Sequence, residues 1–152
     1  MFKKLLLLLI FSIIYSNTAD HIIFTHITTT PDEAEVIAIH NPTDEVIDLS
    51  NYYLSDAESS GKHYFNLPTG SDYWSGYFSD FIARFPDMNI NPGQTLTIGI
   101  NDISTFIYDS DLSLRNDMLD AVDGQSTIGS SANLNRNYES VILFYWDGSS
   151  SI

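Results

Sequence analysis

The stretch HNPTDEVIDLSNYYLSD, residues 40–56, joins two short apolar runs through a turn. Pro42 suits the second position of a β-turn because its ring fixes φ, and the Asn41 side chain can bond the backbone two residues further on. Asp48 and Ser50 offer side-chain acceptors to the bend that follows. Each polar residue thus has a structural role available, so the stretch predicts a β-sheet corner that needs no ligand.

Short runs of β-branched and aromatic residues recur on both sides of this corner, separated by Pro, Gly, Asn and Asp. This pattern predicts an all-β protein, either a sandwich or a barrel. The second run is almost continuously apolar, and we expect it to be buried on both faces. The predicted strands cover residues 22–29, 35–40, 46–49, 52–54, 63–67, 95–100 and 140–145.

Two long connections interrupt the strands, from Leu67 to Thr95 and from Asn101 to Tyr138. In the first, we predict a single helical turn over residues 81–85, ended by the proline that follows. The second contains six Asp residues and is predicted to be mostly loop. Loops of this length are uncommon in compact domains and are often functional.

The first 19 residues, MFKKLLLLLIFSIIYSNTA, have the layout of a secretory signal peptide. Lys3 and Lys4 precede an apolar run that begins at Leu5, and small and polar residues lead to Ala19, where cleavage is expected. The apolar core is short for a membrane span; a retained N-terminal anchor is the alternative. We therefore expect an exported protein, periplasmic, on the cell surface or extracellular, without a stable membrane span after signal removal.

The chain contains 20 acidic residues against 6 Lys and Arg, a formal net charge of -14. Such a charge repels nucleic acid and anionic lipid head groups and attracts divalent cations and basic partners. Cys is absent, although export would permit disulfides. We therefore expect a bacterial exported protein that depends on core packing and does not bind nucleic acid through this domain alone.

The run EVIAIHNPTDEVIDLSNYYLSD, residues 35–56, resembles the signature of the lamin tail domain family. Three more segments match the family in the same order: IIFTHITTTPDEAE, FPDMNINPGQTLTIGI and ESVILFYWDGSS. The resemblance, to the bacterial exported subgroup, implies an immunoglobulin-like β-sandwich over residues 20–152 with two long loop inserts.

The sequence departs from the family at two places. Val36 and Ala38 stand in the second strand, where a Trp and an acidic residue are usual. After Gly148 the family continues into an apolar closing strand, which is missing here. The resemblance therefore implies a domain truncated at its C-terminal end, which would leave a sheet edge exposed.

Catalytic motifs are missing from the sequence: it has no nucleophile elbow, no zinc-protease motif and no phosphate-binding loop. The four His residues lack metal-ligand spacing. His26 and His40 lie in strands that could pair, and a two-His metal site there would need further ligands. Apart from that possibility, the histidines, His21 and His63 included, are interpreted as ordinary sheet residues. We expect no catalytic residues and no enzyme activity in this chain.

The segment YDSDLSLRND, residues 108–117, contains the metal-ligand candidates Asp109, Asp111 and Asp117. Oxygen ligands at alternate positions suit Ca²⁺, which takes six to eight of them. The Gly and the bidentate Glu of an EF-hand loop are absent, so simple solvation of these side chains is the alternative. We expect no cofactor, with Ca²⁺ as the one candidate.

Four aromatic residues lie close together in the first connection: Tyr73, Trp74, Tyr77 and Phe78. They could stack on a sugar or on a partner's side chain, or fold back to cover the sheet. We favour the second interpretation, because large aromatic residues in loops often close a core.

Three functions fit these observations. The preferred hypothesis is a non-catalytic exported binding or spacer module that contacts protein or glycan through its loops. The second is an N-terminal accessory domain of an exported nuclease or phosphoesterase whose catalytic part lies beyond Ile152, as the family resemblance suggests. The third is a calcium-dependent adhesion segment. Fold resemblance alone does not decide among them, because one sandwich fold hosts many functions.

Overall fold

The structure, a computed structural model, describes residues 19–57, 63–69, 80–121, 124–129, 132–134 and 140–149. Its strands are β1 (Ile23–Thr28), β2 (Val36–His40), β3 (Ile47–Asp48), β4 (Tyr52–Ser55), β5 (Ile82–Arg84), β6 (Asn89–Ile90), β7 (Thr95–Gly99), β8 (Leu112–Ser113), β9 (Leu119–Asp120) and β10 (Ile142–Tyr145). One α-helix, α1 (Asp102–Tyr108), and the 3₁₀ helices Asp32–Ala34 and Tyr64–Thr69 complete the described elements. The prediction of a β-rich protein is confirmed.

The strands form several sheets. One four-stranded sheet has the order β1-β2-β7-β8, a second has the order β10-β4-β5-β9, and β3 pairs with β6. Neighbouring strands run antiparallel, except that β7 and β8 are parallel. This order brings β2 and β7, which are far apart in sequence, to the middle of one sheet.

One buried cluster takes side chains from both four-stranded sheets. It includes Ile37 and Ile39 of β2, Ile98 of β7, and Leu54 and Ala83 of the second sheet. Val36 and Ala38, on the other face of β2, are buried as well, which confirms the expectation for this strand. Burying the apolar residues of both sheets together is the main favourable term available to a chain without disulfides.

The corner after β2 is built by Asn41, as predicted. Its Oδ1 accepts hydrogen bonds from the Thr43 N–H at 3.0 Å and the Thr43 hydroxyl at 2.7 Å. Its Nδ2 donates to the Glu45 carbonyl at 2.8 Å and to the Ile90 carbonyl at 3.1 Å. The Asp48 carboxylate accepts from the Ser50 N–H at 2.9 Å. The corner is therefore a scaffold in which the buried amide of Asn41 is fully used.

The 3₁₀ helix Tyr64–Thr69 occupies most of this segment, so the strand predicted over residues 63–67 is wrong. Tyr64 and Leu67 both pack into a second hydrophobic cluster, with Tyr53. Positions three apart fall on one face of a 3₁₀ helix, whereas in a strand they would face opposite sides of the sheet. Tyr64 and Leu67 must face the same cluster, and their spacing of three allows this in a 3₁₀ helix but not in a strand.

The helical turn predicted over residues 81–85 is also wrong, because this segment contains β5. Phe81, Ala83 and Phe85 belong to the main core, and Ile82 belongs to the second cluster. This alternation has the period of two that a strand requires. Three consecutive apolar residues, 81–83, precede Arg84, so the sequence alone does not show the alternation.

The connection over residues 101–138, predicted to be mostly loop, contains a helix and two short strands. Helix α1 begins at a capping box, in which Ser104 N–H donates to the Asn101 Oδ1 at 2.9 Å and Asn101 N–H donates to the Ser104 hydroxyl at 3.0 Å. A capping box satisfies two backbone donors that a helix start otherwise leaves free. The pattern Asn-x-x-Ser at residues 101–104 thus indicates the start of a helix within the Asp-rich connection.

Candidate functional site

The three Asp residues predicted as calcium ligands have different structural positions. Asp109 ends α1 in the left-handed conformation, with φ 47°. The Asp111 carboxylate accepts a 2.7 Å hydrogen bond from the Thr97 N–H, and the Asp117 carboxylate accepts one of 2.7 Å from the Ser113 N–H. Among the described residues, no group of three or more His, Cys, Asp or Glu could hold a metal ion. The calcium hypothesis stays a prediction.

The two histidines considered as metal ligands lie on strands that do pair. The register places His26 opposite Ala38 and His40 opposite Ile23, so the two histidines are diagonal and not direct neighbours. His40 Nδ1 is hydrogen-bonded to the Thr95 hydroxyl at 2.9 Å, and His26 Nε2 to the Thr28 hydroxyl at 2.7 Å. Each imidazole thus has a Thr hydroxyl as its partner. The aromatic group around Trp74 lies outside the described residues.

Helix α1 shows an inverted distribution of polarity. Its large apolar side chains are exposed: Ile103 to 55 %, Phe106 to 86 %, Ile107 to 56 % and Tyr108 to 42 %. The helix buries Ser104 instead. A surface helix ordinarily turns its apolar stripe toward the core. Ile103, Phe106 and Ile107 lie on one side of the helix, and we call these three exposed side chains the apolar face of α1.

Polar and small residues hold this helix against the sheet. A Cβ on Gly99 of β7 would lie 2.6 Å from the backbone nitrogen of Thr105, which is closer than atoms can approach. The Thr105 hydroxyl donates to the Asn101 carbonyl at 2.8 Å. The close contact at Gly99 therefore orients α1 with its polar side inward. The apolar face is left in solvent as a consequence.

Negative charge flanks both ends of the apolar face. Asp102 is the first residue of α1, Asp109 follows its last residue, and Asp111 lies two positions further on; all three are exposed. No Lys or Arg occurs from residue 101 to residue 114. The apolar face thus lies in a locally acidic stretch of an acidic chain.

A cleft of about 560 Å³ opens beside the first turn of α1. Its described lining consists of Asp32, Glu33, Asn101, Asp102, Ile103, Arg115 and Asn133. Arg115 is fixed in this wall because its Nε and Nη2 donate to the Ala132 carbonyl at 3.0 and 2.8 Å. Ile103 belongs both to this cleft and to the apolar face. We call this space the acidic cleft.

Glu35 lies next to the acidic cleft and is completely buried, with 0 % of its surface exposed. Its N–H donates to the Asp32 carbonyl at 3.4 Å, and its carbonyl accepts from the Ile100 N–H at 3.2 Å. Its carboxyl oxygens make no hydrogen bond of good geometry, although the Leu134 N–H and the Asn101 side chain lie close enough to favour the carboxylate. Burial raises the pKa of Glu35 to about 7, and the Leu134 N–H, Asn101 and Arg115 oppose that rise only in part.

A second cleft, of about 590 Å³, lies at the corner and is lined by Ala19, Asp20, Pro42, Thr43, Asp44, Glu45 and Ile47. The buried polar side chain at this corner, Asn41, already uses both its amide oxygen and its amide nitrogen. The corner therefore offers a ligand no buried group in need of a partner, in contrast to Glu35.

Sequence reasoning did not identify either α1 or Glu35 as part of a site. Glu35 is the one charged residue at the head of an apolar strand, EVIAI, and that position was a signal of a buried carboxyl group. For the helix, the sequence feature that indicated an exposed apolar surface was the pair Phe106 and Ile107 within an Asp-rich segment. Both residues were included in a predicted loop.

No helix in the described part of the chain combines the length and the hydrophobicity needed to cross a membrane. No protein-family model matches the chain, and neither a curated protein nor a solved structure does. The geometry of α1 and of its surroundings is therefore what indicates a function for this chain.

Proposed function

We propose that this chain is a non-catalytic exported binding module that holds a protein partner against the apolar face of α1. The observation that carries the proposal is Phe106, 86 % exposed beside Ile103 and Ile107 on a helix that buries its polar side. Phe106 contributes little buried area to folding, and Ile103 and Ile107 leave more than half of their surface in solvent. Contiguous apolar patches of this kind mark interaction sites in soluble proteins.

The spacing of the apolar face suits a groove on the partner. Ile103, Phe106 and Ile107 occupy positions i, i+3 and i+4, which lie on one side of a helix. Helices that dock into grooves use anchors with this spacing. Phe106 is the central anchor, because buried aromatic residues contribute most to many interfaces.

The surrounding charge favours a partner with basic residues around an apolar groove. Asp102 and Asp109 flank the face at its two ends, and the whole chain has a formal net charge of -14. Basic groups on the partner would accelerate association, and salt would slow it. Anionic lipid and nucleic acid are poor candidates, since both would be repelled. These charges favour a protein over the glycan alternative.

The proposal includes the finer fold and the location expected above. Two four-stranded sheets that share one buried cluster are compatible with an immunoglobulin-like sandwich of the lamin-tail type. Export is supported by Lys3 and Lys4 before a long apolar run. An exported module would meet its partner outside the cytoplasm.

Selection from a phage-displayed random peptide library on the purified chain tests this proposal. We expect enriched peptides to combine aromatic or aliphatic residues with Lys or Arg. They should lose binding to a Phe106→Ser, Ile107→Ser double variant. Peptides that bind the double variant as well as the wild type would contradict the proposal.

Val46→Ser is the matched control, because Val46 is similarly exposed but lies at the corner, at the other end of β2 from α1. The selected peptides should bind this variant like the wild type.

Two other occupants of the apolar face are tested in parallel. A dimer that Phe106→Ser dissociates in sedimentation would identify a second copy as the occupant, and binding to anionic vesicles would identify lipid. Either result would overturn the proposal that the partner is a different protein with basic residues around an apolar groove.

A further inference from the structure

In the part of the chain that the structure describes, the edges of the two four-stranded sheets are formed by β1, β8, β9 and β10. An edge strand leaves part of its backbone unpaired, and proteins protect such edges with short strands, bulges, Pro or charged residues. β1 contains a register shift between Phe24 and His26, and β8 and β9 have two residues each. β10 has none of these protections.

β10 is a regular and apolar edge strand. Its residues Ile142–Tyr145 pair with β4 without a register shift, and Trp146 extends the pairing by donating its N–H to the Asn51 carbonyl at 3.0 Å. The run from Val141 to Trp146 contains no Pro, no Gly and no charged residue. A run of this composition has a strong preference for pairing with another strand.

The outward-facing backbone groups of β10 belong to Leu143 and Tyr145. In an antiparallel pair, residues bonded to the partner strand alternate with residues whose N–H and C=O groups point away from it. The Trp146 bond fixes this alternation, so the backbone groups of Phe144 and Ile142 face β4. Among the described strands β10 has no second neighbour. Leu143 and Tyr145 therefore present their N–H and C=O groups to an incoming strand.

Apolar side chains lie beside this free edge on both faces of the sheet. Leu143 packs against the main core and Phe144 against the second cluster, and both are half-buried. Tyr145 leaves 59 % of its surface in solvent. An added strand would therefore have apolar neighbours on each face, and a strand covered on both faces has a continuous apolar run rather than an alternating one.

Charge separates the possible occupants of this edge. Asp147 directly follows the strand and is exposed, and the whole chain has a formal net charge of -14. A second copy of the chain would bring the same charge and the same aspartate to the edge, so it would be repelled. Basic residues at the ends of an incoming segment would instead be attracted.

We propose that the free edge of β10 binds an extended segment of a partner protein as an added strand, and that this segment has an apolar run flanked by Lys or Arg. The backbone of the segment would bond to Leu143 and Tyr145, and its side chains would cover those of β10. This site does not depend on the apolar face of α1, because α1 contacts the other sheet, through β2, β7 and β8.

Hydrogen exchange of the full chain, followed by NMR with and without the peptide acetyl-KKTVIVTKK-amide, tests the inference. In the free chain we expect the Leu143 and Tyr145 amides to exchange fast and the Ile142 and Phe144 amides to exchange slowly. Saturating peptide should slow exchange at Leu143 and Tyr145 by about tenfold or more. Slow exchange at these two amides in the free chain, or fast exchange that the peptide leaves unchanged, would overturn the inference.

Two control peptides separate strand addition from other kinds of binding. The first has N-methyl groups on its two Val residues and on its Ile, which removes the backbone donors that an added strand needs, so it should not bind. The second, acetyl-EETVIVTEE-amide, reverses the flanking charge. It should bind about tenfold more weakly at low salt, and the difference should shrink at high salt. If either control binds as well as the probe, the inference is wrong.

Two variants at position 145 test the outward N–H itself. Tyr145→Pro removes this donor, and Pro is tolerated where the N–H of an edge strand faces solvent. Tyr145→Thr is the matched control, because it also removes the exposed ring and its contact with Tyr52 but keeps the N–H. We expect Tyr145→Pro to weaken peptide binding about tenfold or more, and Tyr145→Thr to change it less than about threefold. Equal affinities of these two variants would contradict strand addition.

The same proteins test a second copy and the apolar face of α1 as alternatives. A dimer in sedimentation that Tyr145→Pro dissociates would identify a second copy as the occupant and would overturn the inference. Phe106→Ser should bind the peptide like the wild type, whereas loss of binding in this variant would place the peptide on α1 and overturn the inference. Failure at the β10 edge is thus distinguishable from failure of the proposed function at α1.

Discussion

Thr105 of α1 lies so close to Gly99 of β7 that no side chain fits between them. A Cβ on Gly99 would be 2.6 Å from the Thr105 nitrogen and would overlap with its hydroxyl oxygen. Ser104, next to Thr105, is fully buried. This contact is the reason that α1 keeps its polar side against the sheet and its apolar face in solvent.

Gly99→Ala should therefore displace α1. The added methyl group meets backbone atoms of Thr105, which cannot rotate away, and overpacking of this kind costs about 1–3 kcal/mol. We expect a lower midpoint of denaturant unfolding and faster amide exchange in residues 102–108. Val46→Ala is the control, because Val46 is 57 % exposed at the corner after β2, whereas Gly99 pairs with the first residue of β2. If both variants lose the same stability and keep α1 protected, the account of this contact is wrong.

Glu35 should make the stability of the protein depend on pH. Its pKa is raised from 4.5 to about 7 in the folded state, so between these values the unfolded chain has lost a proton that the folded chain keeps. Stability from this group is present at low pH and is lost as the pH rises toward 7. Glu35→Gln should therefore stabilise the protein at about pH 8, by on the order of 2 kcal/mol, and much less at about pH 4.

Chemical denaturation of both proteins across this pH range measures the difference. Glu33→Gln is a suitable control, since Glu33 is exposed on the neighbouring 3₁₀ helix. It removes the same charge without removing a buried carboxyl group, and its stability should follow that of the wild type. A Glu35→Gln variant whose advantage does not shrink at low pH would show that Glu35 is not the titrating group.

Asp117 should stabilise the protein whether or not calcium is present. Its carboxylate accepts a 2.7 Å hydrogen bond from the Ser113 N–H. Asp117→Ala should cost about 1 kcal/mol, the usual value of such a bond. Asp44→Asn, at the exposed corner, should have little effect on the melting temperature. If calcium raises the melting temperature of the wild type but not that of Asp117→Ala, the calcium hypothesis is supported instead.

The segments that could be predicted from sequence are those whose local strand or turn preference agrees with their burial in the fold. Val36 to Ile39 read as a strand buried on both faces, and they are. Asn41 was predicted to bond the backbone two residues on, and Thr43 N–H donates to it. Each of these predictions used residues that lie next to one another in the chain.

The misassigned segments depend on partners that are far away in sequence. Ile82 and Ala83 form a strand because β4 and β9 lie on either side of them, which no local pattern reveals. The site depends on such contacts even more. Glu35 meets Asn101 and Arg115 only after β2 and β7 have paired. The exposure of Phe106 follows from the contact at Gly99, which composition does not indicate.

The affinity of a natural partner for the wild-type chain and for Phe106→Ser tests the central claim most directly. The partner is captured from the exported proteins of the source cells, purified, and titrated by calorimetry. We predict that Phe106→Ser weakens binding about tenfold or more while its own stability changes by no more than about 0.5 kcal/mol, and that Val46→Ser binds like the wild type. Equal affinity of the wild type and Phe106→Ser would contradict the claim that α1 is the binding surface.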